Sequence, residues 1–226
     1  MREQMKRKRK KLKPIIKLVI LVCGFLLIKQ FLQSPVTTEQ ISTSVRSPDP
    51  YSNVKKYSTQ INDELAKYGL EEYTVTLIAL MQQESRGQGG DPMQSSESAG
   101  LAPNTINEPS ESIEQGVKHF KRMIEHGKKK DVDFPTILQS YNMGIGYINF
   151  IAKSGGKHTE DLAKQFSKLQ VEKNPTLYDC GGNKENFRYP YCYGDYTYSS
   201  KVASNIDALS DSVPALGDKE QTGEAF

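Results

Sequence analysis

The sequence predicts a mostly α-helical domain that follows a single N-terminal transmembrane helix. Three observations support this fold class. Apolar residues recur at three- and four-residue spacing over most of residues 51–208, and no segment of useful length alternates as a β-strand would. Residues 15–32 form an apolar run, IIKLVILVCGFLLIKQFL. A chain of 226 residues is long enough for one ordinary domain with appendages.

Positive charge is concentrated at the N-terminus of the chain. Residues 1–29 contain ten of the thirty Lys and Arg residues and a single acid, Glu3. The remainder carries twenty basic and twenty-six acidic residues, a net charge of −6. Because a nucleic-acid-binding protein keeps its basic surface on the folded domain, we expect no nucleic-acid partner.

The apolar run 15–32 fits a retained membrane anchor. Eighteen helical residues span roughly 27 Å, close to the hydrocarbon thickness of a bilayer. By the positive-inside rule the basic tail 1–14 stays in the cytoplasm, so we predict a single-pass cell-membrane protein with its domain on the extracellular side. The alternative is a cleaved signal peptide, although the following LQSPVTT contains no A-x-A-like site. Cys23 follows Val22 in mid-segment, which argues against a lipoprotein.

Residues 33–50 are rich in Ser, Thr and Pro and predict an extended stalk. A first helix then follows from the apolar positions Val54, Tyr57, Ile61, Leu65 and Tyr68, and Gly69 ends it. A second helix over residues 71–85 is apolar around most of its circumference. That pattern predicts a central, buried helix.

A loop of about twenty residues rich in Gly, Ser, Asn and Pro follows the buried helix, and loops of that length are usually functional or disordered. We predict a third helix from Ser112, where Gln115 completes a capping box, and a fourth opened by Pro135. Thr159 is expected to cap a fifth. A tyrosine-rich segment (177–202) precedes a short helical run. Residues 209–226 are acidic and predict a flexible tail, which leaves 51–208 as the folded domain.

Cys180 and Cys192 lie in the part of the chain that is predicted to be exported. They form either a disulfide that closes a small loop or a pair of free thiols. An oxidising or non-reducing compartment favours the disulfide.

Glu84 is the candidate catalytic carboxyl. Tyr73, Leu77, Leu80 and Glu84 are spaced by 4, 3 and 4 residues, so the carboxyl continues an apolar stripe at the last turn of the buried helix. Desolvation and the negative end of the helix dipole both raise a carboxyl pKa, as a general acid at neutral pH requires. The alternative is a glutamate that frays into solvent at the helix end.

Four short motifs surround this glutamate: ALMQQESRG (79–87), SAGLAPN (98–104), SYNMGIGY (140–147) and YTYSSKV (196–202). In this order they resemble the E-S-x-G, G-L-M-Q, A-Y-N-x-G and Y-V-x-K-V signatures of the goose-type lysozyme and soluble lytic transglycosylase superfamily. The arrangement is most similar to the lysozyme-like domain of Gram-positive wall hydrolases, including conjugative-element muramidases and the pneumococcal vaccine antigen A group. The resemblance covers about residues 51–202 and implies a lysozyme-like helical fold.

The resemblance also assigns roles to the two carboxylates. Glu84 matches the catalytic glutamate, and Ser85 matches its partner in the E-S motif. Asp91 resembles the second carboxylate of the conjugative-element muramidases, which would hold a water on the opposite face of the sugar. The alternative for Asp91 is a turn residue before Pro92.

Substrate-binding residues follow from the same comparison of motifs. Tyr141 and Asn142 match the Y-N of the turn that lines the saccharide cleft, although a tight glycine turn would explain them equally. Tyr198 matches the tyrosine of the late motif, and Tyr196 is its substitute. The loop has G-L-A-P-N where G-L-M-Q is usual, so Gln94 becomes the candidate for the substrate-binding glutamine.

The resemblance implies a muramidase that cleaves the β-1,4 bond between N-acetylmuramic acid and N-acetylglucosamine. If Asp91 activates a water, the reaction is inverting hydrolysis; if it does not, attack by the muramic 6-hydroxyl makes the enzyme a lytic transglycosylase. A non-catalytic wall-binding or assembly protein of the same fold is the third hypothesis. We expect peptidoglycan strands as the partner, with wall-synthesis, division or secretion machinery as further candidates.

Other chemistries find no support in the sequence. It contains no H-E-x-x-H or paired-cysteine metal signature and no phosphate-binding glycine loop, so we predict no metal site and no cofactor. The three histidines, His119, His126 and His158, are scattered and are predicted to lie on the surface.

Overall fold

The computed structural model describes residues 49–210. The predicted basic tail (1–14), membrane anchor (15–32), most of the stalk (33–50) and the acidic tail beyond residue 210 lie outside the described residues. Within residues 49–210, no helix combines the length and the hydropathy that crossing a bilayer requires.

Regular structure within residues 49–210 is entirely helical, which confirms the mostly-α prediction. The α-helices of this part of the chain are α1 (Ser52–Lys55), α2 (Ser58–Ala66), α3 (Thr74–Glu84), α4 (Pro109–Lys130), α5 (Phe134–Met143), α6 (Ile145–Lys153), α7 (Glu160–Lys173) and α8 (Tyr198–Ser210). Short 3₁₀ turns occur at Glu71–Tyr73, Glu97–Ala99 and Cys180–Gly182.

Helix α3 is the central buried helix that the sequence predicts. Its residues 77–81 (LIALM) have no exposed surface, because α2 and α8 cover it and α8 packs along it most extensively. Burial of this apolar surface is the main favourable term in folding. The last residue of α3 is Glu84, so this buried helix places the candidate carboxyl at the edge of the core.

Several predicted helix boundaries are wrong. The helix expected from Val54 to Tyr68 is divided into α1 and α2 by a break at residues 56–57. Helix α4 begins at Pro109 rather than near Ser112, since proline has no N–H to satisfy and its fixed φ suits a first turn. Ser112 therefore lies inside the helix, where its side chain is fully buried.

Other boundaries have the predicted causes. Thr159 caps α7 by accepting a hydrogen bond from Leu162 N at 3.1 Å. Pro135 lies in the first turn of α5, whose N-cap is Asp133. Gly144 separates α5 from α6 with a φ of 76°, in the left-handed region that favours glycine.

Leu209 is fully buried, so the packed domain extends to Ser210, two residues past the predicted end.

Helix α8 begins at Tyr198, inside the tyrosine-rich segment 177–202 and not after it as predicted. In the stretch between α7 and α8, a disulfide joins Cys180 and Cys192. Thiol labelling of the native protein should therefore modify neither of these two cysteines until a reductant is added. Loop-closure entropy for the twelve-residue separation predicts a loss of about 3 kcal/mol from the free energy of unfolding on reduction, measurable by denaturant titration. Labelling of both thiols without reductant would contradict the disulfide.

Candidate active site

The end of α3 opens into a cleft with a volume of about 650 Å³, well within the usual size of a ligand-binding site. One wall is the loop between α3 and α4, and the other is the α5–α6 turn with the segment before α8. Sequence-predicted residues that line the cleft are Glu84, Asp91, Gln94, Tyr141 and Asn142. The lining does not include Ser85, Tyr196 or Tyr198.

Glu84 has the environment of a general acid. Burial is the main cause that raises its pKa from 4.5 to about 7. A hydrogen bond from Tyr198 lowers the pKa, and the negative charge of Asp91 raises it further. At neutral pH a large fraction of the carboxyl is therefore protonated, as proton donation to a leaving group requires.

Tyr198 distinguishes the two carboxyl oxygens of Glu84. Its buried hydroxyl donates a hydrogen bond to Glu84 Oε1, and burial keeps the pKa of Tyr198 well above its ordinary value, so that it stays a donor. Glu84 Oε2 has no hydrogen-bond partner within residues 49–210, and it is the oxygen free to carry the acidic proton into the cleft. Tyr198 thus contacts the carboxyl of Glu84 without lining the cleft itself.

Replacing Tyr198 with Phe should move the alkaline limit of activity upward. The tyrosine hydroxyl stabilises the ionised form of Glu84, so its removal raises the pKa of the carboxyl above about 7. The pH profile of kcat/KM for wall lysis should then keep its shape and fall at a higher pH than in the wild type. A downward shift, or none, would contradict this role for Tyr198.

Asp91 is almost completely buried, and both of its oxygens are hydrogen-bonded. Oδ1 accepts from Ser95 N at 2.9 Å and Ser112 Oγ at 2.6 Å, while the single hydroxyl proton of Ser95 is donated to Ser112 O at 2.9 Å. Oδ2 accepts from Ser96 N at 3.1 Å and Ser96 Oγ at 2.6 Å. Burial alone would raise the pKa of Asp91, but these donors outweigh it and lower the pKa, so the carboxylate stays ionised.

The loop between α3 and α4 is shaped by close backbone approaches and local hydrogen bonds. A Cβ at Gly90 would lie 2.4 Å from the Asn107 carbonyl oxygen, so only glycine fits there. Ser85, just after Glu84, donates to Pro92 O at 2.7 Å and so joins the helix end to the loop. Gln94 lies on the cleft wall, where its Nε2 donates to Asp91 O at 2.9 Å and Asn104 Oδ1 at 3.1 Å.

Tyr141 connects the two walls of the cleft, and Asn142 joins the two segments that form the second wall. Tyr141 is buried and its hydroxyl donates to Met93 O at 3.2 Å. Asn142 Oδ1 accepts from Asp195 N at 2.7 Å, which leaves its amide nitrogen without a partner among the described residues and available to a ligand. Both residues and Gly144 of the turn therefore line the cleft.

His119 corrects the expectation that the histidines are plain surface residues. It lines the cleft, and its ring packs edge-to-face on Tyr141 with ring centroids 4.7 Å apart. Its Nε2 lies 3.0 Å from Tyr141 O, and because a carbonyl only accepts, Nε2 carries the proton. Burial is the main cause that lowers the pKa of His119, which keeps the ring neutral at pH 7.

Several other cleft residues were not identified from the sequence. The segment that contains the disulfide supplies Tyr178, Cys192, Tyr193 and Gly194, and the loop wall adds further polar residues, among them Ser96, Glu97 and Asn104. The high tyrosine content of residues 177–202 was the available signal for the first group. Tyr196, by contrast, packs against Phe187, Tyr191 and Lys164 outside the cleft.

The chain is similar to several known proteins. A family model described as lysozyme-like matches residues 51–206. The uncharacterized membrane protein YocA of Bacillus subtilis (strain 168) is 47% identical over 201 residues, covering 86% of each chain. Pneumococcal vaccine antigen A of Streptococcus pneumoniae serotype 4 is 34% identical over 167 residues, 68% of this chain and 79% of that protein.

Two further matches concern larger proteins. The bifunctional muramidase/DL-endopeptidase CwlT of Bacillus subtilis (strain 168) is 42% identical over 120 residues, which are 53% of this chain and only 36% of CwlT. A crystal structure from Staphylococcus aureus subsp. aureus Mu50, described as similar to a lipoprotein of the NLP/P60 family, superposes with a TM-score of 0.59 at 34% identity. That match covers 68% of this chain and 52% of the other.

Proposed function

This chain belongs to the lysozyme-like family of cell-wall hydrolases, and on that premise we propose that it is a muramidase with Glu84 as its acid. Its substrate would be the β-1,4 bond between N-acetylmuramic acid and N-acetylglucosamine. The observation that carries the proposal is a carboxyl whose pKa is raised to about 7 and whose Oε2 is free in a 650 Å³ cleft. The similarity to the protein named CwlT muramidase supports the choice of bond.

In the proposed reaction Glu84 Oε2 protonates the glycosidic oxygen as the bond breaks, leaving an oxocarbenium-like centre on the muramic acid. Asp91 supplies a fixed negative charge near Glu84, which favours both the protonated acid and the developing positive charge. Amide and hydroxyl groups on the walls, including Gln94 and Asn142, would bind the sugar.

A lytic transglycosylase is the second candidate, and the hydrogen bonds of Asp91 favour it. A carboxylate offers about four lone-pair positions, and Asp91 already accepts four hydrogen bonds. To activate a water it would have to lose one of these donors. Glu84, once it has given up its proton, is then the remaining base, and it would accept a proton from water or from the muramic 6-hydroxyl.

Mass analysis of soluble products tests these alternatives. Residues 33–226 are incubated with purified peptidoglycan, and the released muropeptides are separated and weighed. Reducing ends indicate hydrolysis, and anhydro-muramic ends indicate a transglycosylase. No released product, together with binding to the wall, would support a non-catalytic wall-binding protein instead.

We also propose that the domain is held on the outer face of the cell membrane by residues 15–32. The apolar run and the basic residues before it support this topology, as does the name membrane protein given to YocA. Protease added to protoplasts should release the domain from the outer face of the membrane. Recovery of a soluble form that begins near residue 35 as the major species would instead indicate a cleaved signal peptide.

A further inference from the structure

A second pocket lies beside the active-site cleft, on the segment that the disulfide closes. Its volume is about 320 Å³, at the lower end of the range of ligand-binding pockets. Tyr178 and Cys192 line both the pocket and the cleft. These two residues therefore form a wall that the two spaces share. A branch of a substrate that left the cleft beside Tyr178 would enter the pocket.

The lining of this pocket is mostly apolar. Val171, Pro175, Tyr189 and Pro190 are among its lining residues. A sugar ring needs several hydrogen-bond partners for its hydroxyl groups, and burying those groups without partners is costly. The pocket therefore suits small aliphatic side chains better than another residue of a glycan strand.

Lys184 places a positive charge at the same pocket. It is exposed, and its ammonium group forms no ion pair within residues 49–210. The other charged residue of the lining, Asp179, is also exposed, and its carboxylate accepts a hydrogen bond from Gly181 N at 2.8 Å. An apolar pocket with one ammonium and one carboxylate group is complementary to a short peptide that carries aliphatic side chains, free carboxylates and an amino group.

We propose that this pocket binds the anionic stem peptide carried by the muramic acid of the substrate, with Lys184 pairing with one of its carboxylates. The proposal rests on the proposed function, because a glycan strand cut at muramic acid carries its peptide branch immediately beside the reacting bond. The disulfide holds the shared wall in place. The pocket would thus make the enzyme prefer peptide-bearing strands to bare glycan.

Two substrates test the proposal: peptide-bearing glycan strands, and the same strands after an amidase has removed the peptides. Lys184→Glu should lower kcat/KM on peptide-bearing strands by about 2- to 5-fold, as expected for an exposed ion pair, and leave kcat/KM on bare strands unchanged. The difference in kcat/KM between the wild type and Lys184→Glu on peptide-bearing strands should shrink at high salt. Pro175→Trp, which adds bulk from an exposed position after α7, should reduce the preference in the same way.

Lys157→Glu is the matched control, since Lys157 is an exposed lysine that lines neither the pocket nor the cleft. It should change neither rate. Equal losses on both substrates in Lys184→Glu, or no loss on either, would overturn the proposal. Dissociation constants are also measured for a soluble peptide-bearing disaccharide that lacks the cleavable bond, so that cleavage plays no part whether or not Glu84 is the acid. Lys184→Glu must weaken binding of this disaccharide. The pocket proposal can therefore be tested even if Glu84 is not the catalytic acid.

Discussion

Replacing Glu84 with Gln should reduce wall lysis by a factor of about 10²–10⁴ while the fold survives. The amide matches the carboxyl in size but cannot donate a proton as a carboxylic acid does, and general acid catalysis contributes a factor of that order. The measurement is the rate of release of soluble muropeptides at pH 6 and at pH 8. The loss should be larger at pH 6, because a carboxyl with a pKa of about 7 is mostly protonated there.

Thermal unfolding provides a second readout for the same variant. The pKa of Glu84 is higher in the folded state than its ordinary 4.5, so its contribution to stability is fully present below pH 4.5 and lost as the pH rises through about 7. Glu84→Gln removes this dependence and should melt higher than the wild type at pH 8. Glu125→Gln, an exposed helix carboxylate paired with Lys121, is the control and should change neither lysis nor melting. Near-normal lysis by Glu84→Gln would reject the assignment.

Replacing Asp91 with Asn should destabilise the domain more than any change at an exposed carboxylate. The amide nitrogen would face serine donors that now bond to a carboxylate oxygen, and leaving buried donors unsatisfied beside a lost charge costs about 2–4 kcal/mol. For a domain of this size the melting temperature should fall by roughly 5–15 °C at pH 7. Wall lysis should also fall, because the loop that Asp91 joins to α4 forms one side of the cleft.

The pH dependence of the melting temperature shows whether the charge of Asp91 causes the loss of stability. The pKa of Asp91 is lowered by folding, so its stabilisation is present above pH 3.8 and lost as the pH falls through the lower folded value. The difference in melting temperature between wild type and Asp91→Asn should therefore narrow below pH 3.8. Asp63→Asn, an exposed aspartate on α2, is the control. An Asp91→Asn protein with wild-type melting that has lost only lysis would instead assign Asp91 to the chemical step.

The position of Glu84 could be predicted because it depends on local pattern. The 4, 3, 4 spacing from Tyr73 places the carboxyl on the buried face of one helix, and burial then raises its pKa, as the structure shows. Tyr198 could be connected to this site only by resemblance of its motif. Its hydrogen bond to Glu84 crosses 114 residues of sequence, and no periodicity reports such a contact.

The sequence by itself determined the helical class, the apolar surface of α3, the start of α5 near Pro135, the cap of α7 at Thr159, and the position of Glu84 at the end of α3, because each of these depends on residues within a few turns of one another. Tertiary structure alone decided the environment of Asp91, the place of His119 and Tyr193 in the cleft, and the exclusion of Tyr196 from it. Ser112 shows the reason. Read locally it is a helix cap, but Pro109 starts the helix earlier, and packing then buries the Ser112 hydroxyl against a carboxylate 21 residues away. Contacts of that kind depend on how helices pack, and the sequence specifies them only through the whole fold.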